Sequence, residues 1–200
     1  MRSPSYPDYD VHRFLPDVAG HELTVLHDDG LYRHLRFQKP GTGFYWFDLI
    51  TWPDNLAFKG DMGGFMFARI TDMFEFFRGS QINPDYWAQK LSGGRESAQH
   101  YSESLFEQQV KEHVAQAILD RETPKGIGRA IRDMFEQGDI TWEGGARDEL
   151  EHFEHEGWRF GETWEWDFRD YTWQYLWACH AIQWGIAQYD AARTPEAVAS

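Results

Sequence analysis

The stretch His21-Glu22-Leu23-Thr24-Val25-Leu26-His27-Asp28-Asp29-Gly30-Leu31-Tyr32-Arg33-His34-Leu35-Arg36-Phe37 decides the fold. Leu23, Val25 and His27 alternate with Thr24 and Leu26, and Asp28-Asp29-Gly30 carries turn chemistry. Leu31, Arg33, Leu35 and Phe37 then alternate with Tyr32, His34 and Arg36. Successive side chains of a strand point to opposite faces, so period two on both sides of a glycine turn predicts a β-hairpin. Working outward, Pro40-Gly41-Thr42-Gly43 precedes Phe44 to Trp52, which is apolar on both faces except for Asp48, as expected of a central strand. Trp52-Pro53-Asp54-Asn55 turns the chain into Leu56 to Lys59, and Gly60-Asp61-Met62-Gly63-Gly64 turns it into Phe65 to Arg69. The pattern predicts an antiparallel meander of four to six strands over residues 21–70.

Upstream, Pro4, Pro7 and Pro16 predict an extended arm over residues 1–16. Downstream the period becomes helical, and about six helices are predicted over residues 71–191. Asp72 and Glu75 have capping-box spacing for a helix from Asp72 to Arg78, and Asn83-Pro84 supplies a cap and a first-turn proline for the next. Ser102 or Ser104 opens a longer helix with Leu105, Phe106, Val110, Val114, Ala117 and Ile118 in one stripe. Thr123-Pro124 is expected to cap a helix ending near Gly138, and further helices are expected from Trp142 to Glu156 and from Tyr171 to Tyr189. A tail over 192–200 is expected to fray. The class is α+β in a single domain over 1–200, with a buried aromatic C-terminal helix. Seven of the ten tryptophans lie between Trp142 and Trp184, so the C-terminal half is expected to supply the aromatic core.

A lone cysteine, Cys179, excludes an internal disulfide, and the first residues lack the apolar stretch of a signal peptide. Both point to the cytoplasm. Tyr171 to Tyr189 has no acid or base, yet Gln174, His180, Gln183 and Gln188 argue against a membrane span. The net charge of −14 is concentrated: residues 139–170 hold eleven acids against Arg147, Arg159 and Arg169. Such a surface repels nucleic acid and anionic lipid, so no direct nucleic-acid binding and no membrane partner is expected. A partner with a basic surface is.

Four constellations carry possible chemistry. Asp48 shares a strand face with Phe44, Trp46, Ile50 and Trp52, so its burial requires a partner such as Arg33, Arg36 or a tyrosine hydroxyl. Either it belongs to a polar network, or it works with His27, His34 and Arg36 as the acid–base centre of an enzyme acting on a small molecule or nucleotide. Lys125, Arg129 and Arg132 cluster at a helix start that could hold an anion, or they pair with Glu122, Asp133 and Glu136. His152 and His155 follow Glu149 at helical spacing, but one Glu-x-x-His falls short of a metal motif. No metal and no cofactor is expected. Finally, Glu149, Glu151, Glu154, Glu156 and Glu162 are interleaved with Trp158 and Trp164. That pattern reads either as an interface that docks on a basic surface or as a solvated helix beside core tryptophans.

Several segments resemble uncharacterised accessory proteins encoded by tailed bacteriophages and prophages. They are Tyr32 to Phe37, Asp48 to Trp52, Lys59-Gly60-Asp61-Met62-Gly63, Asp72 to Phe77 and Ala181 to Ile186. The resemblance carries no known activity and assigns no residue a role. It implies a setting, the bacterial cytoplasm. There a small acidic protein without enzyme motifs is similar in character to inhibitors of host defence, including anti-CRISPR proteins. A host protein or ribonucleoprotein complex with a basic surface is then the expected partner. A structural or assembly role in a phage particle is the other non-enzymatic reading.

Overall fold

A computed structural model describes residues 9–79 and 81–193. The fold is α+β: a five-stranded antiparallel sheet comes first in the chain, and seven α-helices are described in all. Contacts gather into two compact units. One is Gln99–Asp170; the other is discontinuous, joining residues 9–98 to 171–193.

The discontinuous unit is built on the meander. Strands β1 (Glu22–Asp29), β2 (Tyr32–Gln38), β3 (Phe47–Trp52), β4 (Asn55–Gly60) and β5 (Gly63–Ala68) lie in sequence order. Leu35, Phe37, Phe47, Leu49, Leu56, Phe58 and Phe67 alternate onto one face and are buried. Onto that face packs helix α7 (Trp173–Arg193). Trp177 meets Phe47 and Phe58, and Trp184 meets Phe37, all in edge-to-face contacts with ring centroids 5.5 to 6.2 Å apart. Gly185 permits this approach: a Cβ there would lie 2.9 Å from Leu49 Cδ1 and 3.1 Å from the Phe37 ring. Helices α1 (Val11–Asp17), α2 (Met73–Phe77) and α3 (Pro84–Ala88) complete the unit. Along β5 the edge is covered, with Ala68 N donating to Lys90 O and Ser92 N to Met66 O.

The other unit has its own core, in which Phe106, Val110, Ile131, Ala146, Leu150 and Phe168 cluster. It comprises α4 (Glu103–Leu119), α5 (Ile127–Gln137) and α6 (Glu143–His152). A short ladder pairs β6 (Gln99–Tyr101) with β7 (Arg169–Tyr171). Past α6 the chain is irregular. His155 and Trp158 exchange backbone hydrogen bonds around a turn at Glu156 and Gly157, both with positive φ.

Three expectations need correction. Residues 11–16 are not an extended arm: Asp10 accepts hydrogen bonds from His12 N and Arg13 N and starts α1, which is only seven residues long and carries Pro16 in its last turn. Residues 1–8 of that arm, and 194–200 of the expected tail, lie outside the described residues. Thr123 does not cap α5, which starts after Gly126 at φ +83°. The core is built largely on phenylalanine. Nine phenylalanines are fully buried, seven of them between Phe14 and Phe77, whereas of the ten tryptophans only Trp87 and Trp177 are. Indole is large and carries an N–H that needs a partner, which favours the edge of a core over its centre.

Candidate functional site

On the sheet face opposite α7, Asp48 is 3% exposed. Strand register sets Arg36 of β2 directly across from it, with His34 across from its neighbour on that face, Ile50. Arg36 donates from Nε to Oδ1 and from Nη2 to Oδ2, each at 2.8 Å, and His34 Nε2–H donates to Oδ2 at 3.1 Å. The guanidinium lies over the Trp46 ring, 5.0 Å from its centroid. Burial by itself raises the carboxyl pKa, but the bonds from Arg36 and His34 outweigh it and hold Asp48 below the ordinary aspartate range. A base with a raised pKa, as the enzyme reading requires, is therefore not what the strand presents. His27 sits across from His34 in the β1–β2 register but on the exposed edge strand. Phe44 lies outside β3 and is exposed. The partner of Arg33 is Asp72, which accepts two hydrogen bonds at 2.8 and 2.9 Å.

The expected anion-binding cations Lys125, Arg129 and Arg132 are all exposed around the start of α5. None makes an ion pair with another described residue, so the pairing expected with Glu122, Asp133 and Glu136 is not formed. His155 Nε2–H donates to Lys125 O at 3.0 Å, and His152 Nδ1–H donates to Asp148 O at 2.8 Å. Each imidazole thus spends a nitrogen on the backbone. Among the described residues no group of three or more His, Cys, Asp or Glu could hold a metal ion. No helix of the described residues is long and apolar enough to cross a membrane.

The acidic segment divides into carboxylates that hold the unit together and carboxylates that do not. Glu143 bridges Arg147 at 2.9 Å and Arg169 at 3.0 Å. Burial works against its charge, but the two guanidiniums prevail and lower its pKa. Glu149 accepts from Asp139 N at 3.1 Å, and Glu154 pairs with Arg159. By contrast, Glu151, Glu156 and Glu162 are exposed and have no side-chain hydrogen bond or ion pair among the described residues. Trp158 is half-buried, with Phe153, Phe160 and His113 around it. Trp164 is 72% exposed, between Thr163 and Glu165 in a 3-10 turn. Trp142, 56% exposed, donates from Nε1 to Asp139 at 2.8 Å. Trp142, which the acidic segment also interleaves with its carboxylates, owes its exposure to standing just before α6.

Trp164, Glu151, Glu156 and Glu162 are thus exposed, while Trp158 is half-buried and Glu149 and Glu154 bond within the unit. Compared with known proteins, the chain matches no family model, no curated protein and no solved structure.

Proposed function

We propose that this chain is a phage-encoded, non-enzymatic binding protein that inhibits a host defence complex by docking its acidic face on a basic surface. One observation carries the reading: Trp164 is 72% exposed in a unit whose surface charge is largely uncompensated. Residues Gln99–Asp170 hold eighteen acids against eight Lys and Arg, a net of −10. Leaving a large indole in water forgoes the favourable transfer of its apolar surface, and such residues are enriched at the centres of protein interfaces. Carboxylates around it steer a basic partner and set orientation. The phage setting rests on the sequence resemblance, and the non-enzymatic reading is favoured by the closure of Asp48 within its ion pair.

Affinity capture with the full chain from infected bacterial cells tests this. A basic host protein or ribonucleoprotein should be recovered at low salt and released as salt approaches about 0.5 M, where screening shortens to a few ångströms. Trp164→Ala, and a triple charge reversal at Glu151, Glu156 and Glu162 to Lys, should each abolish capture and inhibition while the protein stays folded. Undiminished capture by both variants, or recovery of phage particles instead, would refute the reading.

A further inference from the structure

Two cavities lie along the C-terminal half of α7. The first, of about 390 Å³, is walled by Val11 and Phe14 of α1 and by His180, Trp184 and Ala187 of α7. Burial lowers the pKa of His180, which favours its neutral imidazole, so the charges lining this cavity are those of Arg78 and Asp190. The second, of about 610 Å³, opens among the β1–β2 turn, α2 and the last turns of α7. Arg78 and Asp190 line both. They are joined by bonds of 2.8 and 2.9 Å, so the two cavities adjoin at this ion pair, and the cleft they make up has an apolar end on one side of it and a polar end on the other.

The polar end has more acceptors than donors. Five carboxylates line it against three guanidiniums. Each guanidinium is paired: Arg33 to Asp72 through its two terminal nitrogens, with its Nε buried and without an acceptor, Arg78 to Asp190 and Glu75, and Arg193 to Asp28 at 2.7 Å. Tyr189 OH is likewise spent on Asp28 at 2.9 Å. Acceptors remain. The exposed Asp29 carboxylate forms no hydrogen bond or ion pair with another described residue, and Glu75 is exposed with one oxygen outside its pair. The groups are too dispersed for a metal ion, since no three ligating side chains converge among the described residues. An organic cation fits, and the adjoining apolar end calls for one with an apolar group beside it.

We infer that this cleft binds a peptide segment of a partner protein in which an apolar side chain stands next to an arginine or lysine. The apolar group fills the first cavity against Trp184, and the cation reaches Asp29 and Glu75. Charge complementarity selects the occupant: an acidic segment meets two uncompensated carboxylates, and a wholly apolar one leaves them unused. The inference is independent of the acidic face in Gln99–Asp170.

The test uses the full chain with 15N-labelled tryptophan indoles, titrated with acetyl-Leu-Arg-Arg-amide, acetyl-Leu-Gln-Gln-amide or spermidine. The arginine peptide should shift the Trp184 resonance saturably, at least about tenfold more tightly than the glutamine peptide. Ala187→Trp, which fills the apolar end from an exposed position, should abolish the shift. Asp29→Asn with Glu75→Gln should weaken binding about tenfold. Melting temperatures of both variants should stay within a few degrees of the parent, which separates lost binding from lost fold. No saturable shift, equal affinity for the glutamine peptide, equal affinity for spermidine, or binding that survives both variants would each overturn the inference.

Discussion

In the sheet unit, Asp48, Asp72 and Asp190 each take two hydrogen bonds from a single guanidinium, whereas in Gln99–Asp170 the carboxylates of Glu151, Glu156 and Glu162 stand in water without a charged partner among the described residues. The rings follow the same division. Phe37, Phe47 and Phe58 of the sheet unit are buried beneath α7, while Trp142 and Trp164 of the other unit are exposed. Side chains of the same types thus do different work: in one unit they fix a geometry, and in the other they remain free to meet something else.

That contrast can be broken or sharpened by substitution. Trp177→Ala should act most strongly, at about 3–5 kcal/mol in denaturant unfolding, because it empties the space between α7 and the sheet and leaves Asp17 without the indole donor at 3.0 Å. Arg36→Ala should cost about 2–3 kcal/mol, less than a fully enclosed ion pair, since Arg36 is itself 39% exposed while Asp48 is not. Gly185→Ala should cost about 1–2 kcal/mol by pressing a methyl group on Leu49 and Phe37. Trp164→Ala should change stability by less than about 0.5 kcal/mol, however strongly it affects binding. A large stability loss at Trp164, or none at Arg36, would dissolve the distinction.

Acid sharpens it further. The Asp72 pKa is lowered chiefly by the hydrogen bond from Arg33, and that of Asp48 is lowered against the opposing effect of burial by Arg36 and His34. A carboxyl whose folded pKa lies below its unfolded value adds stability that is complete above the unfolded pKa, about 3.9, and is lost as pH falls through the folded one. The unfolding free energy should therefore decline below about pH 4, and Asp48→Asn should flatten that decline. An unchanged slope in Asp48→Asn, followed by circular dichroism, would assign acid sensitivity elsewhere.

The meander was legible because alternation and turn chemistry agree at every corner, from Asp28-Asp29-Gly30 to Gly60-Asp61-Met62-Gly63-Gly64. Caps at Asp72, Asn83 and Ser102 were legible because a short acceptor side chain just before a helix has few other uses. Less could be read where the outcome depends on distant partners. The choice of Arg36 over Arg33 for Asp48 follows from the β2–β3 register, which is set by the length of the connection rather than by either residue. Tryptophan content pointed to the wrong half for the core, because a count of rings says nothing of which face is covered. The cleft along α7 was not foreseen at all: Asp28 and Arg193, or Arg78 and Asp190, are more than a hundred residues apart.

The discontinuity of the sheet unit bears on how the chain acquires its structure during translation. Strands β1 to β5 are complete by Ala68, but α7, which covers their apolar face, begins at Trp173. At elongation speeds of about 5–20 residues per second, that face waits roughly 5–20 s for its cover. Gln99–Asp170, whose contacts are largely its own, has been synthesised in the meantime and can fold first. Thr172 N donating to Ala98 O at 2.9 Å then marks where the returning segment rejoins the earlier one. Ribosome-bound chains halted before residue 171 should for this reason be the species most prone to aggregate and most dependent on chaperones.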